Sequence, residues 1–304
     1  MNQPSHQPKA PLLMNDSATP LGPNKKPKRK WLDYKPREIG LFFLLLIPLS
    51  VMLIPFLYMV SISIKTDGVV LRTLADIIPR NPSFDNYVTV LSNGNFARYL
   101  GNSLFVSTSI VVGNVFFCTM VGYTFAKMTF PGKNMIFILV LTSFMIPFQV
   151  TMIPVFQLMQ NIGWIDTYQA LIVPTLVTPF GIFLMRQYIS GLPDELIYAA
   201  KVDGASEFRI VWQIIFPLAR PIVAVLVIMT FLNSWNDFLS PLILTTSPEM
   251  RTIPLGLAEF SFLNNTNWGH LMAASVVSLL PVFIIFIFFQ KQIISGLVSG
   301  AIKS

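Results

Sequence analysis

Six long runs of apolar residues, separated by shorter polar segments, divide most of this chain. A helix needs about 20 mainly apolar residues to cross the hydrocarbon core of a bilayer. The runs are continuous, which excludes a membrane barrel, because barrel strands alternate polar and apolar residues over about ten positions. The pattern predicts an all-α, polytopic membrane protein with six transmembrane helices. These lie at residues 39–64, 101–126, 134–158, 168–189, 221–244 and 268–290.

Proline residues predict bends in four of the spans. Each proline removes an intrahelical hydrogen bond and therefore predicts a bend. Bent helices pack around cavities, so we expect a cavity inside the bundle. The prolines are Pro48, Pro55, Pro147, Pro154, Pro174, Pro179 and Pro281.

Composition and charge agree with a membrane protein. Of the 304 residues, 53% are hydrophobic and 12% charged, and the mean hydropathy is +0.63; soluble domains carry about 25% charged residues. The positive-inside rule places both termini in the cytoplasm. In this orientation most of the 21 Lys and Arg residues are cytoplasmic, and the exceptions are Lys65, Arg72, Arg80, Arg98 and Arg251.

Residues 1–38 form a basic, Pro-rich cytoplasmic tail that we expect to be disordered, because it has no apolar core. Residues 39–304 contain the six spans. The run from Lys25 to Lys30 is either a simple topology determinant or a contact with anionic membrane lipid. Since the net charge of +7 comes largely from this tail, it does not indicate nucleic-acid binding.

Ionisable groups inside membranes commonly mark transport sites, and the predicted spans contain almost none. Asp237 is the one acid that we place at membrane depth. It belongs either to a polar patch facing a translocation cavity or to a structural hydrogen-bond cluster near the outer interface, where Trp235 is also favoured. His270 has no neighbouring metal ligand and Cys118 no disulfide partner, so both are interpreted as structural.

Recognisable catalytic motifs are absent from the sequence. It contains no phosphate-binding Gly-Lys-Ser/Thr loop, no His-Glu-x-x-His zinc motif and no Gly-x-Ser-x-Gly nucleophile motif. We therefore expect no catalytic residue, no metal and no cofactor bound by this chain.

The predicted cytoplasmic loop at residues 190–220 contains two short amphipathic helices. Pro193, Asp194 and Glu195 favour a helix start, and Gly204 favours a stop. Ser206 can cap a second helix. Helices of this length are unstable alone in water, so the loop needs a partner to dock against. The predicted apolar faces are Leu192, Leu196, Ala199 and Ala200 in the first helix, and Phe208, Val211, Trp212 and Ile215 in the second.

The same loop carries a specific resemblance. Tyr198-Ala199-Ala200 is followed by Gly204 and then by Ile214-Ile215-Phe216-Pro217. This spacing resembles the coupling loop of ABC importer permeases of the carbohydrate-uptake branch, a group that includes the smaller permease of maltose transporters. The resemblance implies contact with a cytoplasmic ATPase. It transfers this role to Tyr198, Ala199, Ala200, Asp203, Gly204 and Pro217, with Tyr198 standing where the family usually has Glu.

The resemblance covers roughly residues 39–304. Supporting similarities are Asn86-Tyr87, Asn102-Ser103 and the segment from Ser234 to Phe238. It implies an ABC type I importer permease fold in a bacterial inner membrane and import of a sugar or sugar-like solute by alternating access. The implied partners are a second homologous permease, two ATP-binding cassette subunits that use ATP and Mg, and an extracytoplasmic solute-binding protein.

Two further sites follow from this expectation. Asn233, Asn236, Asp237 and Ser240 share one helical stripe of span five and are candidates for the substrate path. Trp235 lies off this stripe and is interpreted as interfacial packing. In the outer loop at residues 245–267, exposed aromatic residues indicate a contact surface. The residues expected to meet the binding protein are Phe260, Phe262 and Asn264.

Other functions remain alternatives at this stage. An ion-coupled secondary transporter would need buried acids or broken helices near the membrane midplane, and the sequence shows no Asp or Glu at depth in spans one to four and six. A membrane enzyme would need a cluster of His, Asp or Glu at one membrane face. An ABC permease for a non-sugar solute, such as an amino acid or a metal, is the closest alternative.

Overall fold

The computed structural model describes residues 36–66, 78, 79, 81–92, 95–262 and 267–301. These residues are nearly all helical, and apart from one isolated bridge between Lys65 and Pro82 they form no β-structure. The predicted all-α class is therefore confirmed. The helices are α1 (Pro36–Ser63), α2 (Asp85–Ser92), α3 (Phe96–Lys127), α4 (Lys133–Ser143), α5 (Phe148–Asn161), α6 (Tyr168–Ile172), α7 (Pro179–Ser190), α8 (Glu195–Val202), α9 (Glu207–Ile210), α10 (Phe216–Leu218), α11 (Arg220–Trp235), α12 (Leu239–Leu244), α13 (Ile253–Phe262) and α14 (Trp268–Ala301).

Four helical segments in the described part of the chain are long and apolar enough to cross a membrane on their own. Two bent pairs raise this number to six if each pair is one span: α4 with α5, bent by 98°, and the segment Glu207–Leu218 with α11, bent by 86°. Five of the predicted spans coincide with one of these segments or pairs. The span predicted at residues 221–244 instead covers α11 and α12, and residues 207–218, predicted in the cytoplasmic loop, form the other half of its bent pair. The four single segments are Gly40–Ser63, Phe96–Lys127, Tyr168–Ser190 and Trp268–Gln292, and the third of them contains α6, a 3₁₀ turn and α7.

Prolines mark some of the helix breaks but not all of them. Pro147 directly precedes α5 at the sharp bend after α4, and Pro174 lies in the 3₁₀ turn between α6 and α7. By contrast, α5 continues through Pro154 and α14 through Pro281. The break at residues 236–238, between α11 and α12, contains no proline. The bend predicted at Pro147 is thus confirmed, and at Pro174 the α-helix is interrupted by a 3₁₀ turn.

Side chains satisfy the backbone where these spans are broken. The Thr178 hydroxyl accepts a hydrogen bond from the Gly181 amide at the start of α7. The Asp237 carboxylate accepts one from the Ser240 amide at the start of α12. The buried amide of Asn114, on α3, donates to the Thr175 carbonyl at 3.2 Å. Hydrocarbon offers no water to replace these partners, so the breaks depend on them.

Helix α3 is the central element of the bundle. It contributes to all three buried apolar clusters: Phe96 and Tyr99 to one, Val106 and Ile110 to another, and Cys118 to the third. Close packing of α3 on α7 requires glycine, because a Cβ at residue 122 would lie 2.6 Å from that of Met185.

At the end of the bundle that holds α2 and α13, buried polar side chains tie loops to helices. The Asn102 amide donates to the carbonyls of Glu249 and Arg251 at 2.8 Å. The Ser103 hydroxyl accepts from the Ile253 amide at 2.8 Å. The Asn86 amide similarly donates to two carbonyls at the end of α1. In the Asn86-Tyr87 and Asn102-Ser103 pairs noted in the sequence, Asn86, Asn102 and Ser103 therefore hold the backbone of other segments, while the Tyr87 hydroxyl contacts that of Ser63.

Asp166 joins two loops at the same end. It is the one described non-glycine residue with positive φ, at 64°, and its carboxylate accepts from the amides of Thr246 and Ser247 at 2.9 and 3.0 Å. Burial opposes ionisation, but these two amide donors hold the pKa of Asp166 below its usual value. An ionised Asp166 therefore keeps the loops before α6 and after α12 together.

We expect Gly122→Val to destabilise the protein, because the new side chain forces α3 away from Met185 and the backbone of Arg186. Overpacking of this kind costs about 1–3 kcal/mol of unfolding free energy. Thermal unfolding in detergent measures the effect. Gly101→Val on the same helix is the control, since its Cβ meets nothing within 4 Å; equal loss in both variants would contradict the packing argument.

Candidate functional site

The loop at residues 190–220 folds as its sequence predicts in outline. Helix α8 begins at Glu195, directly after Pro193 and Asp194, and it ends at Val202, before Gly204. The Ser206 side chain accepts a hydrogen bond from the Arg209 amide at the start of α9. A π-helical turn at Val211–Ile215 and the short α10 complete the loop.

Gly204 ends α8 in a left-handed conformation, with φ of 76°. The Ala205 amide donates to the Ala200 carbonyl at 2.9 Å, and the Gly204 amide donates to the Lys201 carbonyl at 3.0 Å. These two bonds form a Schellman motif, which satisfies carbonyls at the helix end. A Cβ at residue 204 would meet nothing within 4 Å. Glycine is therefore favoured at this position by backbone conformation and not by crowding.

The faces of the two loop helices differ from the prediction. Ile197 and Ala200 point into the chain's own apolar core, with 4% and 7% exposure, whereas Leu196 and Ala199 face outward. In the second segment Val211 and Ile215 are buried, but Phe208 is exposed. The cause is packing against α3 and α7, which selects one of two apolar faces.

An exposed apolar surface remains on this loop. We define it by Leu196, Tyr198, Ala199, Val202 and Phe208, and Val202 is 89% exposed. Of the residues predicted to contact an ATPase, Tyr198, Ala199, Asp203 and Gly204 are exposed and Pro217 is half-buried. Ala200 instead packs inside the chain. The surface is available for docking, while Ala200 supports it from below.

Two charged contacts fix the loop to α3. The Lys127 ammonium group lies 2.6 Å from an Asp194 carboxylate oxygen and donates to the Leu192 carbonyl at 2.6 Å. The Tyr123 hydroxyl donates to the Glu207 carboxylate at 2.6 Å. Lys201 pairs with the other oxygen of the same carboxylate, also at 2.6 Å. The first contact precedes α8 and the second opens α9, so both loop helices are held.

A cavity of about 620 Å³ opens where three helix breaks meet: between α4 and α5, between α6 and α7, and between α11 and α12. Residues at all three breaks line it, together with Val106 and Ile110 of α3, which confirms the expectation that bent helices surround a cavity. Its lining contains hydroxyl, amide, carboxylate and aromatic groups and no Lys or Arg. The residues that carry these groups are Ser143, Phe144, Phe148, Thr151, Thr175, Thr178, Phe180, Thr230, Asn233, Ser234, Asp237, Ser240 and Thr252.

Three of the four residues predicted for the substrate path line this cavity: Asn233, Asp237 and Ser240. Asn236 does not, because α11 ends before it and its amide donates to the Leu232 carbonyl. The predicted continuous stripe is thus broken at this residue. Asp237 lines the cavity, and its carboxylate also accepts a structural hydrogen bond at the start of α12.

Trp235 corrects a second part of that prediction. It is 3% exposed, stacks on Phe231 with 5.2 Å between ring centroids, and donates from its indole to the Ser278 carbonyl. It therefore packs α11 against α14, and its side chain is buried inside the chain.

The part of the cavity lining that comes from α6, α7 and the turn between them was not predicted from the sequence. Thr175 and Thr178 lie beside Pro174 and Pro179, so the proline pair was the available signal. Asn114, which holds Thr175 and Thr178 in place, had no such signal.

The structure does not show what the outer-loop residues predicted to contact a binding protein touch. Phe260 and Phe262 belong to α13, and Asn264 lies outside the described residues, so their contact with a binding protein stays a prediction. Within the described part of the chain no three His, Cys, Asp or Glu side chains could together hold a metal ion.

Comparison with known families and relatives gives consistent matches. The model of the family "Binding-protein-dependent transport system inner membrane component" matches residues 118–298. The arabinooligosaccharides transport system permease protein AraQ of Bacillus subtilis is 41% identical over 87% of this chain and 95% of its own length. The trehalose/maltose transport system permease protein MalG of Thermococcus litoralis is 34% identical over 83% and 91%.

Solved structures share the fold. One chain from a bacterial ABC transporter involved in the import of the acidic polysaccharide alginate has a TM-score of 0.74 and 24% identity. The match covers 85% of this chain and 98% of that one. The predicted ABC type I importer permease fold is therefore confirmed.

We expect Gly204→Ala to loosen the end of α8, because an L-residue in the left-handed region costs about 1–2 kcal/mol. Hydrogen exchange of the Gly204 and Ala205 amides should accelerate roughly tenfold. Gly191→Ala is the matched control, since Gly191 also follows a helix but has φ of −83°. Unchanged exchange in Gly204→Ala would show that the Schellman motif does not limit local opening.

Proposed function

Because this chain belongs to the family of binding-protein-dependent transport system inner membrane components, we propose that it is one of two permease subunits of an ATP-driven importer for a sugar. Family membership makes the chain a multi-pass membrane subunit of a transporter that depends on a binding protein. The solute, the ATPase, the second permease and the orientation in the membrane are proposed in addition to this family role.

The cavity chemistry carries the sugar assignment. Its hydroxyl, amide and carboxylate groups suit hydroxyl-rich solutes, and Phe144, Phe148 and Phe180 add aromatic faces. An apolar solute would leave these polar groups unpaired at a cost of about 1–3 kcal/mol each. Similar proteins are described as permeases for arabinooligosaccharides and for trehalose or maltose.

The exposed apolar surface of the 190–220 loop supports an ATPase partner. Leu196, Val202 and Phe208 would bury apolar area on docking, and each is at least 42% exposed in the isolated chain. We propose that two ATP-binding subunits, which use ATP and Mg, receive this loop and its counterpart on a second, homologous permease. This chain itself then binds no nucleotide and performs no catalysis.

Transport in this proposal is alternating access. The loop leads directly into α11 through the 86° bend at Ala219, and α11 carries Thr230 and Asn233 at the cavity. Closure of the ATPases displaces the loop and reorients the cavity-lining helices. Such a change requires a contact that differs between the two states, and the docked loop supplies it.

The orientation follows the charge distribution, with both termini in the cytoplasm of a bacterial cell. The loop then faces the cytoplasmic ATPase. The segment at 245–267 faces outward, where Phe260, Phe262 and Asn264 are proposed to meet the solute-binding protein.

One observation favours an ion-coupled transporter: broken helices surround the cavity. However, the cavity lining holds a single acid, Asp237, and this carboxylate already caps α12. A non-sugar solute carried by the same type of importer remains the closer alternative.

We expect Val202→Asp to leave the permease assembled but to reduce ATP-linked transport about tenfold or more, because docking would bury an unpaired charge. Val202 touches little of its own chain. In contrast, Ala200→Asp places the charge in this chain's core and should reduce folding as well. Gly204→Pro should uncouple the importer too, because proline cannot adopt φ of 76°.

Solute-stimulated ATP hydrolysis and uptake by the reconstituted complex measure the coupling. Full activity of an assembled Val202→Asp complex would contradict docking through this surface. An effect of Ala200→Asp on transport with normal stability would instead place Ala200 at the partner contact.

We expect Asn233→Ala to slow solute uptake about tenfold, because one polar contact in the cavity is lost. Asp237→Asn tests the carboxylate while keeping a residue that can cap α12. Asn236→Ala is the matched control, since this neighbour does not line the cavity. Initial uptake rates in proteoliposomes, with solute affinity of the binding protein held constant, provide the measurement; equal rates for Asn233→Ala and wild type would make the cavity structural only.

A further inference from the structure

The two contacts between α3 and the 190–220 loop are short and their donor groups are buried, unlike those of ordinary surface ion pairs. The Tyr123 side chain is 3% exposed and the Lys127 side chain is 7% exposed, yet each makes a 2.6 Å contact with a loop carboxylate. Exposed ion pairs contribute little to stability. A buried donor that loses its partner is costly, so these contacts resist separation.

Both donors lie on one face of α3. Residues 123 and 127 are one helical turn apart, and their acceptors flank α8 on either side: Asp194 before it and Glu207 after it. The contacts therefore bracket the helix that bears most of the exposed apolar surface. A force on α8 must displace α3 or break one of the two contacts.

Helix α3 reaches from this loop to the cavity without a break. Its 32 residues include Val106 and Ile110 in the cavity lining. Thirteen residues separate Ile110 from Tyr123 in the sequence, a distance of about 20 Å along a helix. The Ser107 hydroxyl also lies 3.0 Å from that of Ser234, on α11. The other helices that line the cavity belong to broken spans, which bend more readily than a continuous helix.

We propose that Tyr123 and Lys127 are positioning residues that clamp the loop to α3, so that loop displacement reaches the cavity through α3 as well as through α11. The inference rests on the proposed function. The covalent route through α11 contains the π turn and the 86° bend at Ala219. Helix α3 contains no comparable break between the loop and the cavity, so a displacement of the loop would move Val106 and Ile110 with it.

The test uses the complete importer, reconstituted with its ATPase and binding protein. Tyr123→Phe keeps the buried ring and removes only the hydroxyl that reaches Glu207. We expect the number of solute molecules imported per ATP hydrolysed to fall about tenfold, the change expected from losing one hydrogen bond to a charged acceptor. Lys127→Met should lower the same ratio by a similar factor.

Tyr168→Phe is the matched control. It also removes a tyrosine hydroxyl that bonds to α3, through Asn102 at 2.7 Å, but at the opposite end of the helix. The transport-to-hydrolysis ratio should stay at the wild-type value in this variant. An equal fall in Tyr168→Phe and Tyr123→Phe would overturn the inference, because the effect would then reflect general loss of packing.

Glu207→Gln tests the contact from the other side, on a partly exposed residue where substitution does not threaten folding. If the Tyr123–Glu207 contact is what matters, the double variant Tyr123→Phe/Glu207→Gln loses less coupling than the sum of the two single losses. Additive losses, or a normal ratio in Tyr123→Phe, would overturn the clamp.

The wild-type complex separates this inference from the proposed function. If wild type shows no solute-stimulated ATP hydrolysis with any tested oligosaccharide, the proposed function fails. If wild type couples transport to hydrolysis and the two α3 variants do so equally well, only the clamp fails.

Discussion

Every backbone amide and carbonyl at membrane depth needs a partner, because hydrocarbon provides none. At two of the helix breaks in this protein, side chains meet that requirement. Thr178 and Asp237 cap the helices that resume after two of the breaks, and Asn114 supplies a donor to the turn before α7. The same breaks expose the polar groups that line the cavity. One set of hydrogen bonds therefore both permits the breaks and forms the polar lining.

In contrast to these broken spans, α3 is continuous from Phe96 to Lys127. A bundle composed only of bent spans would have no element that keeps the cavity and the 190–220 loop in a fixed relation. Glycine at residue 122 brings α3 against α7, and buried polar residues fix its ends: Asn102 to the segment before α13, and Lys127 to Asp194. The arrangement places flexibility around the cavity and stiffness beside it.

The sequence was sufficient for the spans, for both helices of the loop and for Gly204, because length, capping residues and backbone conformation are local properties. It was insufficient for the orientation of α8. Leu196 and Ala199 form an apolar row, as do Ile197 and Ala200, and only packing on α3 and α7 decides which row is buried. The proline-free break at residues 236–238 was missed for a similar reason: its stability comes from a cap that a helical pattern does not reveal.

The exposure of Tyr198 explains why a tyrosine, where the resemblance leads us to expect glutamate, leaves the fold intact. Its side chain is 64% exposed and lies beside Leu196, Ala199 and Val202 in a surface otherwise formed by apolar groups. A glutamate at this position would contribute a charge to the partner contact and nothing to the core. Tyrosine instead adds an aromatic ring with one hydroxyl. In the proposed function the replacement therefore acts on the contact with the ATPase, while Ile197 and Ala200 preserve the packing of the loop itself.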